Sequence, residues 1–179
     1  VEVSMPLIIV ETLSETPLYP EKPTESDFRT LDCIAERNGQ WRYSLVSSDR
    51  HRMICTFNAP DAESIRESYR RGGTVFSRMW SGDIFSPARP LPPLNEDNLK
   101  VFESTSLEGF TWEAWEDKSK RLMPRLREQG AEWVQSYISS DRTRIVGEFN
   151  APTVEVIREI HHQIEIPCDR VWAAIVVKP

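Results

Sequence analysis

Residues 41–60, Trp-Arg-Tyr-Ser-Leu-Val-Ser-Ser-Asp-Arg-His-Arg-Met-Ile-Cys-Thr-Phe-Asn-Ala-Pro, decide the fold because the chain writes them twice. Trp41, Ser44, Ser47-Ser48-Asp49-Arg50, Arg52 and Phe57-Asn58-Ala59-Pro60 return as Trp133, Ser136, Ser139-Ser140-Asp141-Arg142, Arg144 and Phe149-Asn150-Ala151-Pro152, at one constant offset and without a gap. The same offset pairs Glu11 with Glu103, Arg78 with Arg170, Trp80 with Trp172 and Pro87 with Pro179. A unit that spans almost half the chain and occurs twice is a tandem duplication of one small domain, not a solenoid of many short repeats. The expected organisation is one repeat over 5–87, a proline-rich linker over 88–99 and a second repeat over 100–179.

Within each copy the periodicity changes in a fixed order. Residues 7–11 form a short apolar run ending in an acid, the mark of a buried strand. Residues 24–37 predict a helix, with Ser26 as cap, Phe28, Leu31, Ile34 and Ala35 as its apolar stripe, and Asn38-Gly39 as its stop. Residues 41–46 and 53–57 are strands joined by a polar hairpin in which Ser and Asp bond their own backbone. Asn58 is the expected cap of a second helix closed by Gly72-Gly73, and 76–80 is the last strand. Strand, helix, strand, strand, helix, strand is the ferredoxin-like split βαβ order, so the fold class is α+β with two βαββαβ repeats. In the second copy Pro124 is expected to kink the first helix.

Composition narrows the partners. The 179 residues carry a formal net charge of −6 with bases interleaved among acids, which argues against a nucleic-acid backbone as partner. No apolar run is long enough to span a bilayer and no signal peptide is evident, so a cytoplasmic protein with no membrane partner is expected. Three scattered cysteines, Cys33, Cys55 and Cys168, imply neither a disulfide framework nor a zinc knuckle. The neighbouring His161 and His162 project about 100° apart on their helix and are expected at the surface.

Alternation along the strands selects the candidate site. One face of the first sheet is read as Glu11, Trp41, Tyr43, Cys55, Arg78 and Trp80, and the second copy supplies Glu103, Trp133, Gln135, Arg170 and Trp172. These are the candidate ligand-binding residues, with Glu11 opposite Arg78 and Glu103 opposite Arg170. No catalytic residue is assigned, because neither paired carboxylates nor a thiol beside an imidazole are apparent.

The recurring pattern W-x-x-S, S-x-D-R-x-R, aromatic-x-A-P and E-x-I-R-E, with Pro167, Asp169, Arg170, Val171 and Trp172 at the close of the second copy, resembles the small ferredoxin-like family catalogued as domain of unknown function 4242, whose described member is a nickel-binding protein. The resemblance implies the fold, and through the fold a dimeric α+β barrel, formed within one chain or between two. It also implies nickel or another divalent metal as cofactor. Yet the family's usual His before the second-strand Ser is here Tyr43 and Gln135, its third-strand Cys is Cys55 and Gly147, and its acid before Ala-Pro is Asn58 and Asn150. Loss of the imidazoles weakens the nickel expectation.

The resulting functional expectation is a small-ligand or metal-binding accessory protein using the cavity between two sheets. An enzyme of the cyclase or monooxygenase type using that cavity, and a structural module that forms homo-oligomers, are the competing classes. The connection from first strand to first helix differs between copies, Pro-rich at 16–24 and short at 108–111, and is where their functions are expected to diverge.

Overall fold

The computed structural model describes residues 5–179. The chain divides into two compact units, one of residues up to 82 together with 175–179, the other of residues 83–174. Each repeat has the expected α+β order. The first runs β1 (Leu7–Leu13), α1 (Glu25–Glu36), β2 (Gln40–Ser47), β3 (Arg52–Asn58), α2 (Ala62–Gly72) and β4 (Arg78–Phe85). The second runs β5 (Leu99–Thr105), α3 (Trp112–Glu128), β6 (Glu132–Ser139), β7 (Arg144–Asn150), α4 (Val154–Gln163) and β8 (Arg170–Val177). β1 pairs antiparallel with both β3 and β4, and β3 with β2; β5, β7, β8 and β6 pair in the same way. Tandem duplication of a ferredoxin-like unit is therefore what the chain contains.

The helix caps differ from expectation. Thr24, not Ser26, caps α1: its hydroxyl accepts from Asp27 N while Asp27 Oδ2 accepts from Thr24 N at 2.9 Å, a reciprocal capping box. Asp61, not Asn58, caps α2, because Pro60 belongs to the approach rather than to the first turn. α3 continues through Pro124. The polar hairpin is as expected: Ser47 Oγ donates to Asp49 Oδ1 at 2.6 Å and accepts from Arg52 N at 3.0 Å, and Arg50 turns the chain at φ 65°.

The side chains under the helices form two cores of different quality. Around α3 and α4, Trp115, Trp133, Phe149 and Phe102 interlock, with Trp115 edge-on to Trp133 at 5.7 Å and Phe85 packed against both tryptophans. Under α1 and α2 the buried cluster is smaller and centres on Ile8, Val10, Ile34, Phe57 and Tyr69. α1 buries only Thr30 and Ile34, whereas α3 buries Trp115, Ser119, Leu122 and Leu126.

Candidate functional site

Cross-strand pairing fixes which candidate side chains share a face, since residues directly opposite point the same way. In β1, Ile9 and Glu11 lie opposite Thr56 and Ile54, while Val10 lies opposite Cys55 and Ile8 opposite Phe57. Cys55 therefore points with Val10 toward the helices, away from Glu11. A bulge between Trp41 and Tyr43 puts Trp41 opposite Phe57 on the helix side and Tyr43 opposite Thr56 on the other. The equivalent bulge sends Trp133 under the helices and Gln135 to the opposite face. Trp41, Cys55 and Trp133, expected on the face of Glu11 and Glu103, thus lie on the helix side instead. Period-two reading fails here because the bulge inserts a residue and because alternation says nothing of how one strand's phase meets the next.

The helix-free faces keep Glu11, Tyr43, Arg78 and Trp80 in the first unit, and Glu103, Gln135, Arg170 and Trp172 in the second. Glu11 and Glu103 are both buried, and each accepts from an indole: Trp80 Nε1 at 2.7 Å from Glu11 Oε2, Trp172 Nε1 at 2.6 Å from Glu103 Oε2. Arg78 stands opposite Glu11. Arg170 reaches Glu103 at 3.2 Å but keeps a side chain 44% exposed. The closer partner of Glu103 is Arg144, itself buried, which also holds Asp169 at 3.0 Å. Glu148, fully buried, accepts from Gln135 Nε2 at 2.8 Å and from Tyr137 OH at 3.0 Å. Arg144 and Glu148 are not among the candidate ligand-binding residues read from the sequence. Arg144 ends the recurring S-x-D-R-x-R, and Glu148 is an acid inside an apolar run where the first copy has Thr56, so both carried a readable signal.

Nickel fits these groups poorly. Cys55 and Glu11 face opposite ways, and the Glu103 oxygens are engaged by arginine and indole donors. Burial pushes the Cys55 thiol up to about 12, partly offset by the Ser44 hydroxyl that donates to its sulfur, which disfavours the thiolate a soft metal needs. Among the described residues no group of three or more His, Cys, Asp or Glu is placed to hold a metal ion. His161, expected at the surface, is buried; its ring stacks on Phe102 at 3.8 Å and its Nδ1 donates to Ile157 O at 2.7 Å.

An opening lies on the helix side of the first unit, a cavity of about 720 Å³. Its floor is Trp41, Met53, Cys55 and Phe57 of the sheet, its wall is Leu31 and Ile34 of α1 with Tyr69 of α2, and its cover is the Pro-rich strap of residues 14–24. The strap is clasped to the β2–β3 hairpin: Arg50 Nη1 donates to Leu18 O at 3.1 Å, pairs with Glu21 at 2.5 Å and lies 4.3 Å over the Tyr19 ring, while His51 Nδ1 donates to Ser14 O at 2.9 Å. Exposed Leu13, Tyr19 and Val75 form an apolar rim. In the second unit Trp115 packs on Trp133, the counterpart of cavity-floor Trp41.

Comparison with solved structures finds likenesses over nearly the whole chain. A candidate chlorite dismutase is 13% identical over 97% of this chain and 94% of its own, at TM-score 0.48. A candidate monooxygenase from Fusobacterium nucleatum is 9% identical over 98% and 94%, at TM-score 0.47, and an anthrone oxidase-like protein 8% identical over 98% and 92%, at TM-score 0.47. At these TM-scores none carries an argument about the chemistry of this chain. Comparison with curated proteins gives no match. No helix among the described residues is long and apolar enough to cross a membrane. The model of the SCO4226-like nickel responsive proteins matches residues 8–81 and again residues 101–173, one match per repeat, and the chain belongs to that family as a tandem pair of its domain.

Proposed function

We propose that the protein is a small-ligand-binding accessory protein whose ligand is an organic molecule held in the first unit rather than a metal ion. The observation that supports this reading is the cavity of about 720 Å³, a volume within the range of small-molecule sites and walled mostly by apolar and aromatic side chains around a few polar groups. The donors for nickel, in contrast, are dispersed over two faces or already engaged. Native mass spectrometry and elemental analysis of untagged protein test the proposal. The expected result is an organic adduct or none, with no stoichiometric metal, and calorimetry should show only weak Ni²⁺ binding. A sub-micromolar Ni²⁺ affinity overturns the reading. Filling the cavity by Leu31→Trp should abolish binding of any adduct found while leaving the chain folded.

A second reading keeps Glu11, Tyr43, Arg78, Trp80, Glu103, Gln135, Arg170 and Trp172 as ligand contacts on the helix-free faces. It is favoured by Arg170, which sits at 3.2 Å from a fully buried acid yet leaves nearly half of its side chain exposed. Arg170→Met distinguishes the two readings, since only the second makes adduct binding depend on it.

A further inference from the structure

The polar atoms of the first-unit cavity separate into those already engaged and those that are not. Ser44 accepts from Trp41 Nε1 at 3.0 Å and donates to the Cys55 sulfur at 2.8 Å, which uses both of its roles. Thr30 donates to Ser26 O at 2.9 Å and meets Thr74 at 2.7 Å. Asp27 is occupied by the capping box. Tyr69 is different. It is 6% exposed, lines the cavity and stands edge-on to Phe57 at 6.1 Å and to Phe76 at 5.6 Å, but its hydroxyl has no hydrogen-bond partner among the described residues. The hydroxyl is not sealed off by protein but opens onto the cavity, so a ligand acceptor there would take the place of water.

The charge around that hydroxyl limits what can pair with it. Burial, then the neighbouring Cys55 and Asp27, raise the Tyr69 pKa well above its ordinary value, so the phenol stays protonated and acts as a donor. The Asp27 carboxylate repels a second anion there. Lys22 of the strap also borders the cavity, but its side chain is exposed and its ammonium lies 5.7 Å from the Tyr19 ring. The rings of Trp41, Phe57 and Tyr69 and the thioether of Met53 line the cavity and suit an apolar, ring-bearing body.

We infer that the cavity takes an uncharged, ring-bearing apolar molecule that presents one hydrogen-bond acceptor, of the ketone or ether kind, to the Tyr69 hydroxyl. The inference rests on the ligand-binding reading above and adds the chemical class. Three naphthalenes of nearly equal size test it on the full chain: 2-acetylnaphthalene, 2-ethylnaphthalene and 2-naphthoate, each titrated by fluorescence and by thermal shift. The ketone should bind roughly five- to tenfold tighter than the hydrocarbon, the increment of one buried hydrogen bond, and the anion weakest. Tyr69→Phe should bind the hydrocarbon as the native chain does and lose the ketone preference. The variant removes only an unpaired hydroxyl and keeps the ring, so it should melt no lower than the native protein. Binding of none of the three overturns the ligand-binding reading itself. Equal binding of ketone and hydrocarbon, tightest binding of the anion, or a ketone preference that survives Tyr69→Phe overturns the chemical class while leaving that reading in place.

Discussion

His161 and Tyr69 occupy matching positions in the two repeats, and each shows what burial does to a titratable ring. Desolvation brings the His161 pKa down to about 4, with the bond to Ile157 O working weakly the other way. The folded state therefore holds this imidazole neutral, while the unfolded chain protonates it near pH 6.5. Stability from this source is complete above about pH 6.5 and is lost as the pH falls toward 4, by about 3 kcal/mol once both states are fully protonated. His161→Phe keeps the stacking on Phe102 and removes the titration. Melting temperatures measured from pH 7 to pH 4.5 should fall more steeply for the native protein than for this variant. Equal slopes would show that the acid sensitivity arises elsewhere.

Arg144 makes a different kind of contribution, because it is the buried counter-charge of a fully buried Glu103. Arg144→Met should cost roughly 3–5 kcal/mol, the penalty of a buried charge deprived of its partner, and adding Glu103→Leu should recover part of the loss. Urea titrations of the two variants measure this. The position was legible in the repeat motif, but its direction was not. Only the pairing of Arg144 with Thr105 shows that it points to the face of Glu103.

At the scale of elements, the two helix pairs are spaced by two residues. Gly72 of α2 approaches α1 so closely that a Cβ built there would stand 2.7 Å from Thr30 Cα, whereas the matching positions in the second repeat are Ile164 and Leu122. A small pair lets α1 and α2 close on each other, and a large pair fills the space with side chains. Gly72→Ala should push α1 off α2 and destabilise by about 1–3 kcal/mol, as overpacking does, read as a lower urea midpoint at unchanged slope. Element order was legible from the sequence because periodicity and caps are local. Two things were not. The phase between strands depends on the bulges after Trp41 and Trp133, and the cavity depends on helix spacing and on where the 14–24 strap lies. The unequal connections did signal that the copies diverge at this point, and the strap is what covers the opening.

At the scale of the whole molecule, the two repeats share a plan but bury different numbers of side chains with their first helices. Resistance to opening follows the apolar surface an element buries. α1 buries two residues beside a cavity, and α3 buries four against a tryptophan cluster. Amides of α1 should therefore exchange with deuterium faster than those of α3, and 2-acetylnaphthalene should slow exchange in α1 and in residues 14–24 while leaving α3 unchanged. Exchange that is uniform across both helices, with or without the probe, would contradict this.

The Trp115 cluster has a consequence for the history of such a chain. A protein tolerates mutation only while its stability stays above the threshold for folding, and most changes subtract from the margin. A repeat that fills its core with Trp115 and Trp133 supplies margin that its twin need not. The first copy could then drift at the positions that separate helix from sheet, losing packing where its sister kept it. On this account the opening under the strap is inherited slack. It is the copy with the looser core in which selection finds new ligands cheapest to try.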